Sequence, residues 1–210
     1  MKLVDRDYRV LGELNRWRYL QGRHVRYFAS FSSQRTADRR LQKLRQAGYI
    51  EKVKILYGVS SLYKLTSRGK RILDVSVKEE KIRVEQIMHN IAMLDSVVFF
   101  MKKYNIKLVN VVSERQLHSM QGFGNRKHVV DFAFVLADKS FGVEIELTLK
   151  AKKRLISNVE DNFTRYDYQI WVVPSTEHQI RQILDESKVI YPNIKILNLE
   201  EVQDYVKQLD

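Results

Sequence analysis

The stretch that decides the fold of the first third of the chain is SSQRTADRRLQKLRQAG, residues 32–48. Ser32 or Ser33 can cap a helix by accepting a hydrogen bond from an amide of the first turn. Gly48 stands where a residue in the left-handed conformation commonly ends a helix. Apolar residues recur between them with helical spacing, at Ala37, Leu41 and Leu44. The pattern predicts a helix that packs one face into a core.

The opposite face of this helix carries cationic and amide side chains. Arg35, Arg39, Gln42 and Gln46 share one side, with Arg40 and Lys43 beside them. Guanidinium and amide groups are the ones that contact base edges and phosphates. The alternative is an ordinary solvated basic face.

The net charge favours nucleic acid as a partner. The chain carries a formal charge of +12 over 210 residues. Residues 1–72 hold 18 Lys and Arg against 5 Asp and Glu, so the whole excess lies in the first third. Because these cations are not set against a broad apolar face, we expect double-stranded DNA rather than a membrane surface.

The segments around residues 32–48 predict a winged helix-turn-helix. Residues 5–21 and 22–28 form helices, and residues 49–56 and 62–66 form two strands around a turn at Gly58 and residues 60–61. The phrases RRLQKLRQAGYIEK and YKLTSRGKRIL resemble winged-helix DNA-binding domains across residues 5–75. The resemblance implies DNA contacts by helix and wing residues: Arg35, Arg39, Arg40, Gln42, Lys43, Lys52, Lys54, Tyr57 and Lys64. Some winged helices bind protein instead.

The chain is predicted to form two domains, residues 1–75 and 82–210. The joint at residues 73–82 has no proline or glycine, so it is not a flexible tether. Residues 84–104 form a long helix, which serves either as core or as the surface of a homodimer.

A hairpin in residues 128–150 collects acidic side chains. If its turn is at residues 138–139, Asp131 lies opposite Glu146, and Glu144 lies one pair along. Three carboxylates on one face can bind Mg²⁺, which prefers oxygen ligands. The alternative is a solvent-facing strand pair with ordinary acids.

The remaining segments predict a mixed α/β sheet. Before the hairpin, residues 106–112 are predicted to form a strand and residues 118–127 a mobile loop. After the hairpin, helices alternate with strands: helix 150–166, strand 168–173, helix 176–186, strand 193–197 and helix 199–209. This order resembles the core of PD-(D/E)XK nucleases. The resemblance implies Asp131 and Glu144 as catalytic acids, with Glu114 as a further acid. Glu146 replaces the motif lysine, a role that Lys150 or Lys153 would have to supply from the next helix.

The whole layout resembles the replication-relaxation family of plasmids and conjugative elements. The segments that carry this resemblance are HNIAMLDSVVFFMKKY, the turn SER, VEIELT and WVVPS. It implies a DNA-binding accessory protein in replication, relaxation or transfer, with relaxase or replication proteins as partners. The absence of cysteine is compatible with a cytoplasmic location. Two alternatives stay open: a Mg²⁺-dependent nickase or endonuclease, and a winged-helix transcriptional repressor.

Other classes of function find little support in the sequence. Cysteine is absent, which excludes disulfides and thiolate metal sites. The sequence shows no apolar run of membrane-spanning length, no signal-peptide pattern at residues 1–10, and no glycine-rich phosphate loop. The five histidines show no metal-ligand spacing.

Overall fold

The computed structural model describes residues 1–77, 82–121, 128–149 and 151–209, and is a mixed α/β protein. It divides into two compact units, Met1–Leu94 and Asp95–Leu209, here called unit 1 and unit 2. The division falls within a long helix, whereas the sequence predicts domains that meet ahead of that helix. No helix in the described ranges is long and apolar enough to cross a membrane.

Unit 1 combines helices with a small antiparallel sheet. Its elements are α1 (Asp5–Trp17), β1 (Tyr19–Gln21), α2 (Gly22–Phe28), α3 (Gln34–Gln46), β2 (Ile50–Val53), β3 (Leu62–Leu65), α4 (Ser67–Ile72) and the first half of α5 (Val84–Lys103). The three strands are ordered β1-β3-β2, and both pairings are antiparallel.

The predicted first helix extends too far. The observed helix α1 ends at Trp17, and Arg18 adopts a positive φ of 69°, which turns the chain out of the helix. The next three residues form β1, which pairs with β3. The sequence gives no alternation in so short a strand, so β1 was not predicted. The hairpin strands β2 and β3 and the helices α2 and α3 are confirmed within a few residues of their predicted bounds.

Unit 2 is built on a five-stranded sheet. Its elements are the second half of α5, β4 (Val111–Ser113), α6 (Glu114–Gln121), β5 (Phe132–Leu136), β6 (Lys139–Ile145), α7 (Lys152–Arg165), β7 (Tyr168–Val173), α8 (His178–Ser187), β8 (Ile194–Asn198) and α9 (Leu199–Gln208). The strand order is β4-β5-β6-β7-β8. The first two pairings are antiparallel, and the last two are parallel, with a helix in each crossover.

Both faces of this sheet are covered by side chains from helices. On one face Leu155 and Val159 of α7 and Ile180 of α8 form a core with Trp171 of β7. On the other face the Phe100 ring of α5 lies 5.1 Å from the Phe134 ring. A row of aromatic rings runs across the strands there, since Phe134 stacks on Phe141 at 4.9 Å and Phe141 on Tyr168 at 5.1 Å.

Three details differ from the predictions for unit 2. The strand predicted at residues 106–112 begins only at Val111, because Leu108–Asn110 forms a short 3-10 helix. Residues 118–121 belong to α6 rather than to a loop, and the rest of that predicted loop, residues 122–127, lies outside the described residues. The apolar spacing of residues 150–166 predicts that Leu155, Ile156, Val159 and Phe163 point inward, but Ile156 and Phe163 are substantially exposed on α7. The buried residue beside Phe163 is Asn162, because the inward stripe follows the spacing of Leu155, Val159 and Asn162.

Candidate functional site

Helix α3 presents two opposite faces. Ala37, Leu41 and Leu44 are fully buried, as the apolar stripe predicts. The residues predicted for the other face, Arg35, Arg39, Gln42, Lys43 and Gln46, are exposed. Asp38 is also exposed beside them, and its carboxylate accepts from the Gln34 side chain at 2.8 Å. The Ser33 side chain caps the helix by accepting from the Thr36 amide at 3.3 Å, and Gly48 has the left-handed φ of 75° that ends it.

Arg40 is engaged inside the fold. Its Nε donates to Oδ1 of Asp7 at 2.5 Å, and its Nη2 donates to Oδ2 of the same carboxylate. Asp7 of α1 is completely buried and also accepts from the Val4 amide at 2.8 Å. The hydrogen bonds from Arg40 to Asp7 raise the pKa of Arg40 above its usual value. Arg40 therefore links α1 to α3, a role that the sequence could not separate from DNA contact.

The hairpin cations fall into two groups. Lys52 and Lys54 are exposed, and the Lys54 ammonium lies 5.9 Å from the centroid of the Tyr57 ring. Tyr57 itself is 99% exposed at the hairpin tip. Lys64 instead pairs with Glu51 at 2.9 Å across β2 and β3 and lines a cavity.

The acidic hairpin of unit 2 has a different register from the predicted one. Its turn lies at Ala137–Asp138, both with positive φ, and Leu136 pairs with Lys139. Positive φ at both central residues is the geometry of a type I′ turn. The predicted pairing of Asp131 with Glu146 is therefore wrong. The carboxylate of Asp131 accepts from the Ile145 amide at 2.7 Å.

Glu144 is buried among polar partners. Its Oε1 contacts Nε2 of His128 at hydrogen-bond distance and accepts from Nδ2 of Asn162 at 3.1 Å. Burial raises the pKa of Glu144 to about 6; the hydrogen bond from His128 opposes this rise, and the charge of Asp131 adds to it. Glu144 is therefore not an ordinary solvent-facing acid, which was the alternative interpretation of the hairpin.

His128 completes this buried cluster. Burial alone would lower its pKa, but hydrogen bonding to Glu144 and the charges of Glu144 and Asp131 raise it overall. Its carbonyl oxygen accepts from Nη1 of Arg165 at 2.5 Å. The arrangement can hold a proton between an imidazole and a carboxylate away from bulk water.

The other predicted acids do not join this cluster as predicted. Glu114 begins α6, where its amide donates to the Asp131 carbonyl at 2.9 Å while its side chain lies 3.6 Å from His118. Glu146 follows β6 and lines a small pocket with Arg154 and Asn158. Lys150 lies outside the described residues, and Lys153 is exposed on α7. Within the described ranges, no three His, Asp or Glu side chains are arranged to hold a metal ion.

No protein-family model matches the chain, and no curated protein is significantly similar to it.

Sequence reasoning missed two members of the cluster, His128 and Asn162. A signal existed for Asn162, because a polar residue at a buried position of an apolar helix stripe needs a hydrogen-bond partner. For His128, which lies ahead of β5, no local signal exists, since its partner Glu144 is 16 residues away on β6.

The buried pair predicts a pH-dependent stability of unit 2. The folded pKa of Glu144 exceeds its ordinary value of 4.5, so its stabilising contribution is present below pH 4.5 and is lost as pH rises through about 6. His128, whose pKa is also raised, changes stability in the same direction above pH 6.5. Between pH 4.5 and 8 we expect Glu144 alone to account for a loss of about 2 kcal/mol.

Urea unfolding, followed by Trp171 fluorescence in a Trp17→Phe background, measures this change, because Trp17 and Trp171 are the only two tryptophans. Glu144→Gln keeps an acceptor for Asn162 but cannot titrate, so it should remove most of Glu144's share of the pH dependence. An equal pH dependence in both proteins would contradict the assignment.

Proposed function

We propose that this chain is a DNA-binding protein in which unit 1 acts as a winged helix and α3 enters the major groove. The observation that carries the proposal is the division of α3 into a fully buried apolar face and an exposed face of cations and amides. The concentration of positive charge in residues 1–72 supports it, because phosphate neutralisation supplies much of the affinity of such domains.

The exposed residues have distinct roles in this proposal. Arg35, Arg39, Gln42 and Lys43 contact base edges or flanking phosphates. Lys52, Lys54 and Tyr57 at the hairpin contact the backbone or the minor groove. Arg40 and Lys64 are not assigned a DNA contact in this proposal, since each already pairs with an acid of unit 1.

We further propose an accessory role in the replication, relaxation or transfer of a plasmid or conjugative element. The support is the sequence resemblance described above, together with a mixed five-stranded sheet in unit 2. In this proposal unit 2 is a PD-(D/E)XK-like module that serves assembly, with relaxase or replication proteins as its partners.

The salt dependence of DNA binding tests the proposal. Fluorescence anisotropy with a duplex, repeated over a series of salt concentrations, gives the slope of log K against log salt. If Arg39 and Lys43 each contact a phosphate, Arg39→Ala/Lys43→Ala should reduce the slope by about 1.8, at about 0.9 for each contact. Affinity at low salt should fall at least about tenfold.

A matched control separates contact from net charge. Lys195→Ala/Lys207→Ala removes two exposed cations of unit 2 and should leave the slope unchanged. If both double variants change the slope equally, or the wild type binds no duplex at all, the proposal fails.

Metal-dependent cleavage is the second candidate, favoured by the proximity of Asp131 and Glu144. The donor set does not fit Mg²⁺ well, because His128 and Asn162 already engage Glu144 and the Ile145 amide engages Asp131. We therefore expect no open-circular product when supercoiled plasmid is incubated with the protein and Mg²⁺ or Mn²⁺. Nicking that disappears in Asp131→Ala would establish a nuclease instead.

A further inference from the structure

Unit 1 contains a cavity on the side of its sheet that faces α5. Its volume is about 210 Å³, and it is bordered by α1, the three strands, α4 and the first turns of α5. Among the residues that the structure describes, four cations line it, Arg18, Lys64, Lys70 and Arg83, together with one acid, Glu51. The described part of the lining therefore carries three more positive than negative charges.

Two of these cations are available to a ligand. Lys64 is neutralised by Glu51 at 2.9 Å. Arg18 and Arg83 are exposed, and neither forms an ion pair within the ranges that the structure describes. A concave surface with unpaired guanidinium groups favours an anion, because each guanidinium offers a planar set of donors that matches phosphate or carboxylate oxygens.

Neutral polar groups complete the lining. Asn15, Ser67, Gln86 and Asn90 offer amide and hydroxyl groups beside the cations. Asn90 donates to the Tyr19 hydroxyl, which leaves the proton of that hydroxyl for another acceptor. Such groups suit the hydroxyl or heterocyclic part of a small molecule, while the cations suit its charged end.

We propose that this cavity binds a small phosphorylated metabolite, with its phosphate at Arg18 and Arg83 and its polar remainder at the amides. The site goes beyond the proposed DNA contact, since none of the exposed α3 residues lines the cavity. Its volume of about 210 Å³ accommodates a sugar phosphate or part of a nucleotide.

Isothermal titration calorimetry of the full chain tests this. The probes are ribose 5-phosphate and adenosine 5′-monophosphate, with inorganic phosphate and uncharged ribose as comparisons. We expect one-site saturable binding of at least one ester at millimolar concentration or below, and no binding of ribose. Inorganic phosphate that binds as tightly as both esters would show a simple anion site and overturn the proposal, as would no binding of any ester.

Variants that are expected to weaken ester binding, and one that is expected to tighten it, test whether the ester binds in this cavity. Arg18→Ala and Arg83→Ala should each weaken ester binding about tenfold through loss of a charge-assisted hydrogen bond. Glu51→Gln frees the charge of Lys64 and should tighten binding about threefold, a gain that misfolding cannot produce.

Arg39→Ala on α3 is the control and should leave ester affinity unchanged. Equal affinity in all four variants would place the ligand elsewhere and overturn the assignment. The assignment would also fail if duplex DNA displaced the ester and Arg18→Ala weakened DNA binding as strongly as Arg39→Ala.

Discussion

Replacement of Arg40 by alanine is expected to destabilise unit 1 by about 3 kcal/mol, because it leaves the buried Asp7 carboxylate without its cation. Asp7 is completely buried, and two donors of the Arg40 guanidinium face its carboxylate. Urea unfolding monitored by Trp17 fluorescence in a Trp171→Phe background measures the change. Lysine at position 40 should restore little of the loss, since an ammonium cannot reproduce the two parallel hydrogen bonds.

Two comparisons make this prediction specific. Arg39→Ala alters the neighbouring exposed arginine and should change the unfolding free energy by no more than about 0.5 kcal/mol. Combining Arg40→Met with Asp7→Asn should recover much of the stability, because the buried charge disappears while asparagine can still accept from the Val4 amide. A loss below about 1 kcal/mol in Arg40→Ala would contradict a structural role for the pair.

Substitution of Gly69 by alanine is the second change with a large expected effect, about 3 kcal/mol of destabilisation. A Cβ atom at this position would lie 2.1 Å from the carbonyl oxygen of Tyr49 and 3.1 Å from Leu65. The backbone of α4 would have to move away from the end of α3, and the Thr66 contacts to Gly48 and Tyr49 would be strained. The same fluorescence-detected unfolding experiment measures the loss.

Gly12→Ala provides a control of opposite sign. Gly12 lies inside α1, and a Cβ there would meet nothing within 4 Å. Alanine should therefore stabilise unit 1 by up to about 1 kcal/mol through its helix propensity. If both alanine variants were equally tolerated, the close packing of α4 against Tyr49 would be disproved.

The sequence predicted most elements of the fold because their patterns are local. Helix α3, the strands β2 and β3, and the alternation of helices and strands after residue 150 follow from periodicity and from glycine positions. Strand β1 could not be predicted in this way, since three residues are too few for a periodic pattern and their pairing depends on β3, more than 40 residues away.

Predicting the site was harder because side-chain pairing is not local. Arg40 and Asp7 are 33 residues apart, so the helix pattern alone could not distinguish Arg40 from the exposed Arg39. In the hairpin, a turn one residue earlier than predicted changes which residues face each other, since register is set by turn geometry. The buried Glu144 also accepts a hydrogen bond from Asn162 of α7, which no hairpin pattern contains.

The five-stranded sheet has a further consequence at its two outer strands. Strand β4 contributes only three residues, and β8 carries the exposed, charged Lys195 near the start of its five. Short edge strands and edge lysines hinder the addition of a strand from another molecule. Unit 2 is thereby protected against edge-to-edge aggregation, even though its central strands β5 to β7 are rich in aromatic and β-branched residues that would otherwise favour it.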